Sequence, residues 1–219
     1  MPDSSRLRVL VTGGDAPMAA AIARHFAAAG HAVTLAGSTV ESADLGGLAI
    51  HRRLADPAIP DSIEEACVEA SGRGPVDVLV TVPERHFQGG VAGFDAAAID
   101  LATAHLLRAP MLYTRGLLDA LRQAPAPAIV HVAPVEAFLF GQDALESALL
   151  NALVNYARQC VPQLPGIRIN AACPGGTSTP EQVVELVGFL ASERAGYVNS
   201  AVVTVDGGWY ATHPRAMPQ

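Results

Sequence analysis

The chain has 219 residues, half of them apolar and 16% charged, with a formal net charge of −7. That composition excludes intrinsic disorder, and with basic residues outnumbered and unclustered it gives a nucleic-acid-binding role no electrostatic support. No apolar run approaches the ~18–20 residues of a membrane helix, and no secretory pattern follows Met1–Arg6, so the expected setting is cytoplasmic.

In chain order, Leu7–Thr12 reads as a buried strand, Met18–Ala29 as a helix stopped by Gly30, and His31–Ala36 as a second strand. Leu48–Arg52 is a weak third strand, and Ser62–Ala70 a helix for which Asp61 is the expected cap. Val76–Val82 is a fourth strand, followed by a long helical region, Phe94–Gln123, with a break expected near Ala109–Pro110. Ala128–Ala133, Ile167–Cys173 and Ala201–Val205 complete seven strands, with helices at Asp143–Cys160 and Glu181–Ala191 between them. The tail after Trp209 is expected to run over the surface.

Strands alternating with crossover-length helices predict a doubly wound parallel seven-stranded α/β sheet covered on both faces, Rossmann-like, in a single domain over residues 1–219. Cys67, Cys160 and Cys173 are widely spaced and read as buried thiols. All 14 basic residues are arginine. A chain without lysine cannot run any mechanism that needs a lysine ammonium.

Leu10-Val-Thr-Gly-Gly14 lies between the first strand and its helix, the context of a dinucleotide-binding loop. With Val76-Asp-Val-Leu-Val80, Ile129-Val-His-Val132, Gly166-Ile-Arg-Ile-Asn-Ala-Ala-Cys-Pro-Gly175, Phe189-Leu-Ala-Ser192 and Val205-Asp-Gly-Gly208 in order, the chain resembles the short-chain dehydrogenase/reductase family over nearly its whole length. The resemblance implies an NAD(P)-binding fold, a Ser/Tyr/Lys active site with a helper asparagine, and dimers or tetramers.

Against that pattern several positions differ. Of the family's Thr-Gly-x-x-x-Gly-x-Gly loop, Thr12, Gly13 and Gly14 remain, while Pro17 and Ala19 stand where the later glycines would be. Those glycines let backbone approach a pyrophosphate; Pro17 removes an N–H from the helix start, and Asp15 is positioned to cap that helix. Gly37-Ser38 match the ribose-recognising position, and Arg53 the family's acidic residue after the third strand. Thr81-Val-Pro-Glu84 replace Asn-Asn-Ala-Gly, so the Glu84 carboxylate is expected to crowd the cofactor face.

The serine position falls on Pro134, after Ala133, and the helper asparagine on Leu106. The Tyr-x-x-x-Lys pair matches Asp143 and Ser147 in one register, Ser147 and Asn151 or Ala144 and Ala148 in others. No register supplies the tyrosine general acid or the lysine that lowers its pKa. Only Gly176-Thr-Ser-Thr179 separates Pro174-Gly175 from the next helix, so the family's substrate lid is deleted.

The expected reading is a family member without hydride-transfer chemistry or bound cofactor: a non-catalytic subunit of a homo-oligomer, or of a hetero-oligomer with an active homologue. One alternative is a cofactor-independent enzyme using residues at the C-terminal strand ends, Glu84, His131 and Ser147, with His86, Glu136 and Asp143 nearby in sequence. The other is the NAD(P)-dependent oxidoreductase that family membership alone implies. His131, inside an apolar strand, also reads as a core histidine, and Glu84-Arg85-His86 as a solvated loop. His51, His86, His105 and His131 show no metal-ligand spacing, so no metal is expected.

Overall fold

Three consecutive apolar residues, Val9–Val11, flanked by Arg8 and Thr12, form β1 (Arg8–Thr12), and its neighbours β2 (Ala32–Gly37) and β4 (Val78–Thr81) pair with it in parallel on either side. The computed structural model describes residues 6–84, 87, 90–138, 143–175 and 178–212. Its seven-stranded sheet has the order β3-β2-β1-β4-β5-β6-β7, all pairs parallel, with β3 at His51–Leu54, β5 at Ala128–Val132, β6 at Arg168–Pro174 and β7 at Val202–Val205. The chain reverses direction across the sheet between β1 and β4, and in such folds the crevice at the strand C-terminal ends there is where ligands sit.

Because successive side chains leave a strand on opposite faces, each strand feeds two cores. Val9, Val11, Val33, Leu35, Val80 and Val130 pack under α1 (Pro17–Ala28) and α7 (Pro180–Ala191). Leu10, Ala36, Leu79, Ile129 and Ile169 pack on the other face under α2 (Pro60–Gly72) and the helices after β4 and β5. Those are α3 (Ala96–Thr103), α4 (Ala109–Gly116), α5 (Leu118–Arg122) and α6 (Ala144–Cys160). Four residues, Trp209–Thr212, form a last short helix, α8, and the three after Trp209 are exposed, as expected of a tail on the surface.

The expected seven-stranded sheet is present, and four local expectations change. The third strand starts at His51, three residues later than its composition suggested. Ile59, not Asp61, is the N-cap of α2; Asp61 lies in the first turn, where its charge suits the helix dipole. The interruption expected near Ala109–Pro110 falls just ahead of it and is not a break in the chain's helical path. Instead, Ala104–Arg108 widen into a π turn, and Pro110 sits at the start of α4, where its missing N–H costs little. Asp15 does not cap α1: Ala16 is the N-cap and makes no side-chain capping bond.

The connection from β6 to α7 is five residues, Gly175 to Thr179, of which Gly176 and Thr177 lie outside the described residues. All three cysteines are buried and free, as expected. No helix among the described residues is long and apolar enough to cross a membrane.

Candidate functional site

The crevice between β1 and β4 begins at Gly13 and Gly14. Both backbone N–H groups donate to Ala36 O, at 3.1 and 3.0 Å, so the amides at the tip of this loop are spent on β2. Gly14 adopts φ +58, and a Cβ on it would lie 2.5 Å from Thr39 O; one on Gly37 would lie 2.3 Å from Gly14 Cα. Glycine is needed at both positions because the loops after β1 and β2 touch backbone to backbone.

Two carboxylates join these loops. Asp15 accepts hydrogen bonds from Thr39 Oγ1 at 2.8 Å and from Ser42 Oγ. Those two hydroxyls, Ser42 foremost, hold its pKa below the usual carboxylate range. Glu84 reaches from the end of β4 across Gly14 to β2. It accepts from Ser38 Oγ at 2.6 Å and from Ser38 N at 3.2 Å, and a Cβ on Gly37 would meet its Oε1 at 2.6 Å. Its side chain is only 9% exposed, and Oε2 lies 3.9 Å from Nδ1 of buried His105. The π turn carries both His105 and Leu106, which is 1% exposed, to the crevice side of the helical layer.

Beneath Glu84 lies a cavity of about 20 Å³ lined by Thr12, Thr81, Glu84, His105 and Tyr113 among others. That is room for about one water. The Tyr113 hydroxyl, buried there, has no hydrogen-bond partner among the described residues, and burial, with Cys67 and Glu84 adding, pushes its pKa up.

The start of α6, where the Tyr-x-x-x-Lys pair was matched, is also tied down. Asp143 is the N-cap, accepting from Leu145 N at 3.1 Å and Glu146 N at 3.2 Å, and its second oxygen accepts from Gly90 N at 3.3 Å. Glu146 accepts from Phe87 N at 2.7 Å, and the Phe87 ring lies 6.1 Å from that of His105. Phe87 and Gly90 are thus both bonded to the α6 N-terminus. Ser147 sits in the first turn of α6, its carbonyl accepting from Asn151 Nδ2 at 2.8 Å. Pro134 follows β5, between buried Ala133 and Val135.

His131 lies on β5 with no exposure, and its Nδ1 is 2.7 Å from Thr81 Oγ1. Burial lowers its pKa to about 4, so the ring is neutral at physiological pH. The core-histidine reading fits this placement. Glu84 is not part of a solvated loop as expected, whereas Arg85 and His86 lie outside the described residues. Glu136 lies in a short 3-10 turn.

The third strand's later start changes one match. Arg53 is inside β3, bonded to Glu65 at 3.0 Å and Glu69 at 3.3 Å. The acidic residue that follows β3 is Asp56, whose Oδ1 accepts from Ala58 N at 2.8 Å while its own N–H bonds Ser62 Oγ at 2.9 Å. Asp56-Pro57 ahead of a helix was the available signal. Among the described residues no group of three or more His, Cys, Asp or Glu side chains forms a metal site.

A family model described as short chain dehydrogenase matches residues 8–185. Cis-4-hydroxycyclohexanecarboxylate dehydrogenase of Sinomonas cyclohexanicum is 30% identical, with 92% of this chain and 96% of that protein covered. Meso-2,3-butanediol dehydrogenase of Serratia marcescens is 27% identical, with 91% and 93% covered. Among solved structures, ligand-free aldohexose dehydrogenase of Thermoplasma acidophilum superposes with a TM-score of 0.86 at 19% identity, covering 98% of both chains.

Proposed function

Because the chain belongs to the short-chain dehydrogenase family, we propose that it keeps the family's scaffold, as one domain, without its hydride-transfer chemistry. It then serves as a non-catalytic subunit, paired with itself or with an active homologue in the cytoplasm. The observation that carries this reading is the Glu84 carboxylate lying against Gly14 and Gly37 and bonded to Ser38.

A dinucleotide in this fold lays its phosphates at the start of α1 and its ribose at the end of β2. Here that path holds two carboxylates, Asp15 and Glu84, and the Gly13 and Gly14 amides are already bonded to Ala36. The residues present do not fit NAD(P). The acid/base machinery meets the same difficulty: Pro134, Asp143 or Ser147, and Leu106 stand at the matched positions, and no lysine exists to assist a tyrosine. Thr12, Gly13 and Gly14 are the retained residues that favour a nucleotide.

Support for a partner comes from the sheet edge and the helical layer. None of the four β7 residues is buried, which leaves an apolar edge strand open to pairing or cover. Ile99 on α3 and Met111 on α4 are exposed apolar side chains on the same helical run.

The second reading, an NAD(P)-dependent oxidoreductase, is favoured by the relatives named as dehydrogenases that match more than nine-tenths of this chain. Titration of the purified protein with NAD+, NADH, NADP+ and NADPH by calorimetry separates the two. The non-catalytic reading expects no saturable heat from any of them, and micromolar binding of one would sink it. A cofactor-independent enzyme on Glu84, His131 and Ser147 has less support, since His131 is sealed inside the sheet and bonded to Thr81.

A further inference from the structure

At the opposite end of the sheet from Glu84, the N-terminal halves of β1 and β2 and the C-terminal end of α2 border a half-open recess of about 220 Å³. The sequence explains the gap. Strand β3 begins to pair only at Thr34, so Ala32 and Val33 have no strand neighbour on that side. Ala32, Ala49 and Ala70 line the space without filling it. The volume equals the share of about seven liquid waters, too small for a dinucleotide and suited to a small organic molecule.

Charge gives the recess its chemistry. Arg6, Arg8, Arg73 and His51 all line it, in a chain whose net charge is −7. Arg8 donates through Nη2 to Ala70 O at 3.0 Å, which fixes its guanidinium at the end of α2. Arg73 donates to Glu69 Oε1 at 2.7 Å, and the His51 Nε2 lies 2.8 Å from the same oxygen. Two carboxylates, Glu69 and Asp77, touch this group. The three arginines outnumber these two carboxylates by one. Burial first, and then the charge of Arg73, presses the Arg8 pKa down while Asp77 opposes it. An anion between the two arginines would relieve that repulsion.

We propose that this recess binds a small organic monocarboxylate, its oxygens held between Arg8 and Arg73 and its apolar body resting on the alanine-lined floor. One surplus charge matches a monoanion, and the planar guanidinium fork matches a carboxylate in two-point contact. The apolar floor favours an aromatic or short aliphatic body over a bare inorganic ion.

Benzoate tests the assignment, with benzamide as its neutral counterpart and inorganic phosphate as the bare anion. Calorimetric titration is expected to show saturable one-to-one binding of benzoate that weakens as salt rises, with benzamide and phosphate both weaker. Arg8→Gln and Arg73→Gln are each expected to reduce benzoate affinity about tenfold, the weight of one charge-assisted contact. Arg73 is exposed, so its variant keeps the fold and decides the matter if Arg8→Gln does not. Glu84→Gly, at the other end of the sheet, should leave benzoate affinity unchanged. No saturable benzoate binding, equal binding of benzamide, an unchanged affinity in Arg73→Gln, or a loss in Glu84→Gly would each overturn it.

Discussion

Ser38 gives both its hydroxyl and its backbone N–H to the Glu84 carboxylate, at 2.6 and 3.2 Å, linking the ends of β2 and β4 across the crevice. The link is mostly shielded from water, the Glu84 side chain being only 9% exposed. It also places a carboxyl group beside Gly14, close to Asp15 on the same loop.

Glu84→Gly restores the residue type the family carries at this position and removes that carboxyl group. The expected result is a loss of about 1–3 kcal/mol in denaturant unfolding, since Ser38 loses a partner in a half-buried place. The same variant should gain NADH affinity by about tenfold or more over the parent, the effect of removing one like charge. It should still show no turnover, because no tyrosine–lysine pair is created. Turnover in Glu84→Gly would refute the non-catalytic reading.

Most of the sheet was legible because its strands are buried on both faces and so read as unbroken apolar runs such as Val78–Thr81 and Ala128–Val132. The strand His51-Arg-Arg-Leu54 was not. It lies at the sheet edge, where charged side chains reach Glu65 and Glu69 on α2, and hydropathy carries no trace of that pairing. The resulting slip places Arg53 within the strand and leaves Asp56 as the first acidic residue after it. Crowding by Glu84 could be read because a carboxylate replaced a glycine at a strand end. The Asp15 bonds could not, since capping rules are local and Thr39 and Ser42 are some 25 residues away in sequence. The π turn at Ala104–Arg108 gives no compositional sign either, and Pro110 beside it misdirects.

Arg168 is a buried cation within the fold's core. Its guanidinium donates to Leu190 O at 2.6 Å, Ser192 O at 3.1 Å, Ala195 O at 3.2 Å and Ala191 O at 3.4 Å, closing the C-terminal end of α7. Leu190 and Ala191 are in the last turn of α7, whose carbonyls a helix end leaves without intrahelical partners, and the charge suits the dipole there. Arg168→Met keeps the stem's packing and leaves those oxygens buried. A loss of about 2–4 kcal/mol is expected in urea unfolding, with the far-ultraviolet spectrum of the folded state unchanged. A change below about 0.5 kcal/mol would mean that water replaces the guanidinium.

If the helical layer joins subunits, Ile99 and Met111 lie in the contact. Light scattering of the purified chain should give a mass above that of one subunit. Ile99→Asp with Met111→Asp should shift it toward the monomer at low micromolar concentration, because a buried unpaired carboxylate is costly at an interface. Unchanged mass in the double variant would move the interface elsewhere, with the open β7 edge the next surface to alter.

His131 sets an acid limit on stability. Its pKa falls from the ordinary 6.5 to about 4 because the ring is buried beside Thr81 with no exposure. Between those values the unfolded chain binds a proton that the folded chain refuses, so stability rises with pH across this window. The contribution is complete above about pH 6.5 and is lost as pH falls toward 4, amounting to about 3 kcal/mol at most for a shift of this size. Carboxylates titrate in part of the same range, so the variant His131→Asn isolates the histidine's share. It keeps a polar partner for Thr81 and cannot protonate. Urea unfolding at pH 7.5 and 4.5 should show the parent losing about 1–3 kcal/mol more than His131→Asn over that interval. Parallel losses in the two proteins would mean that the ring accepts its proton without leaving the sheet.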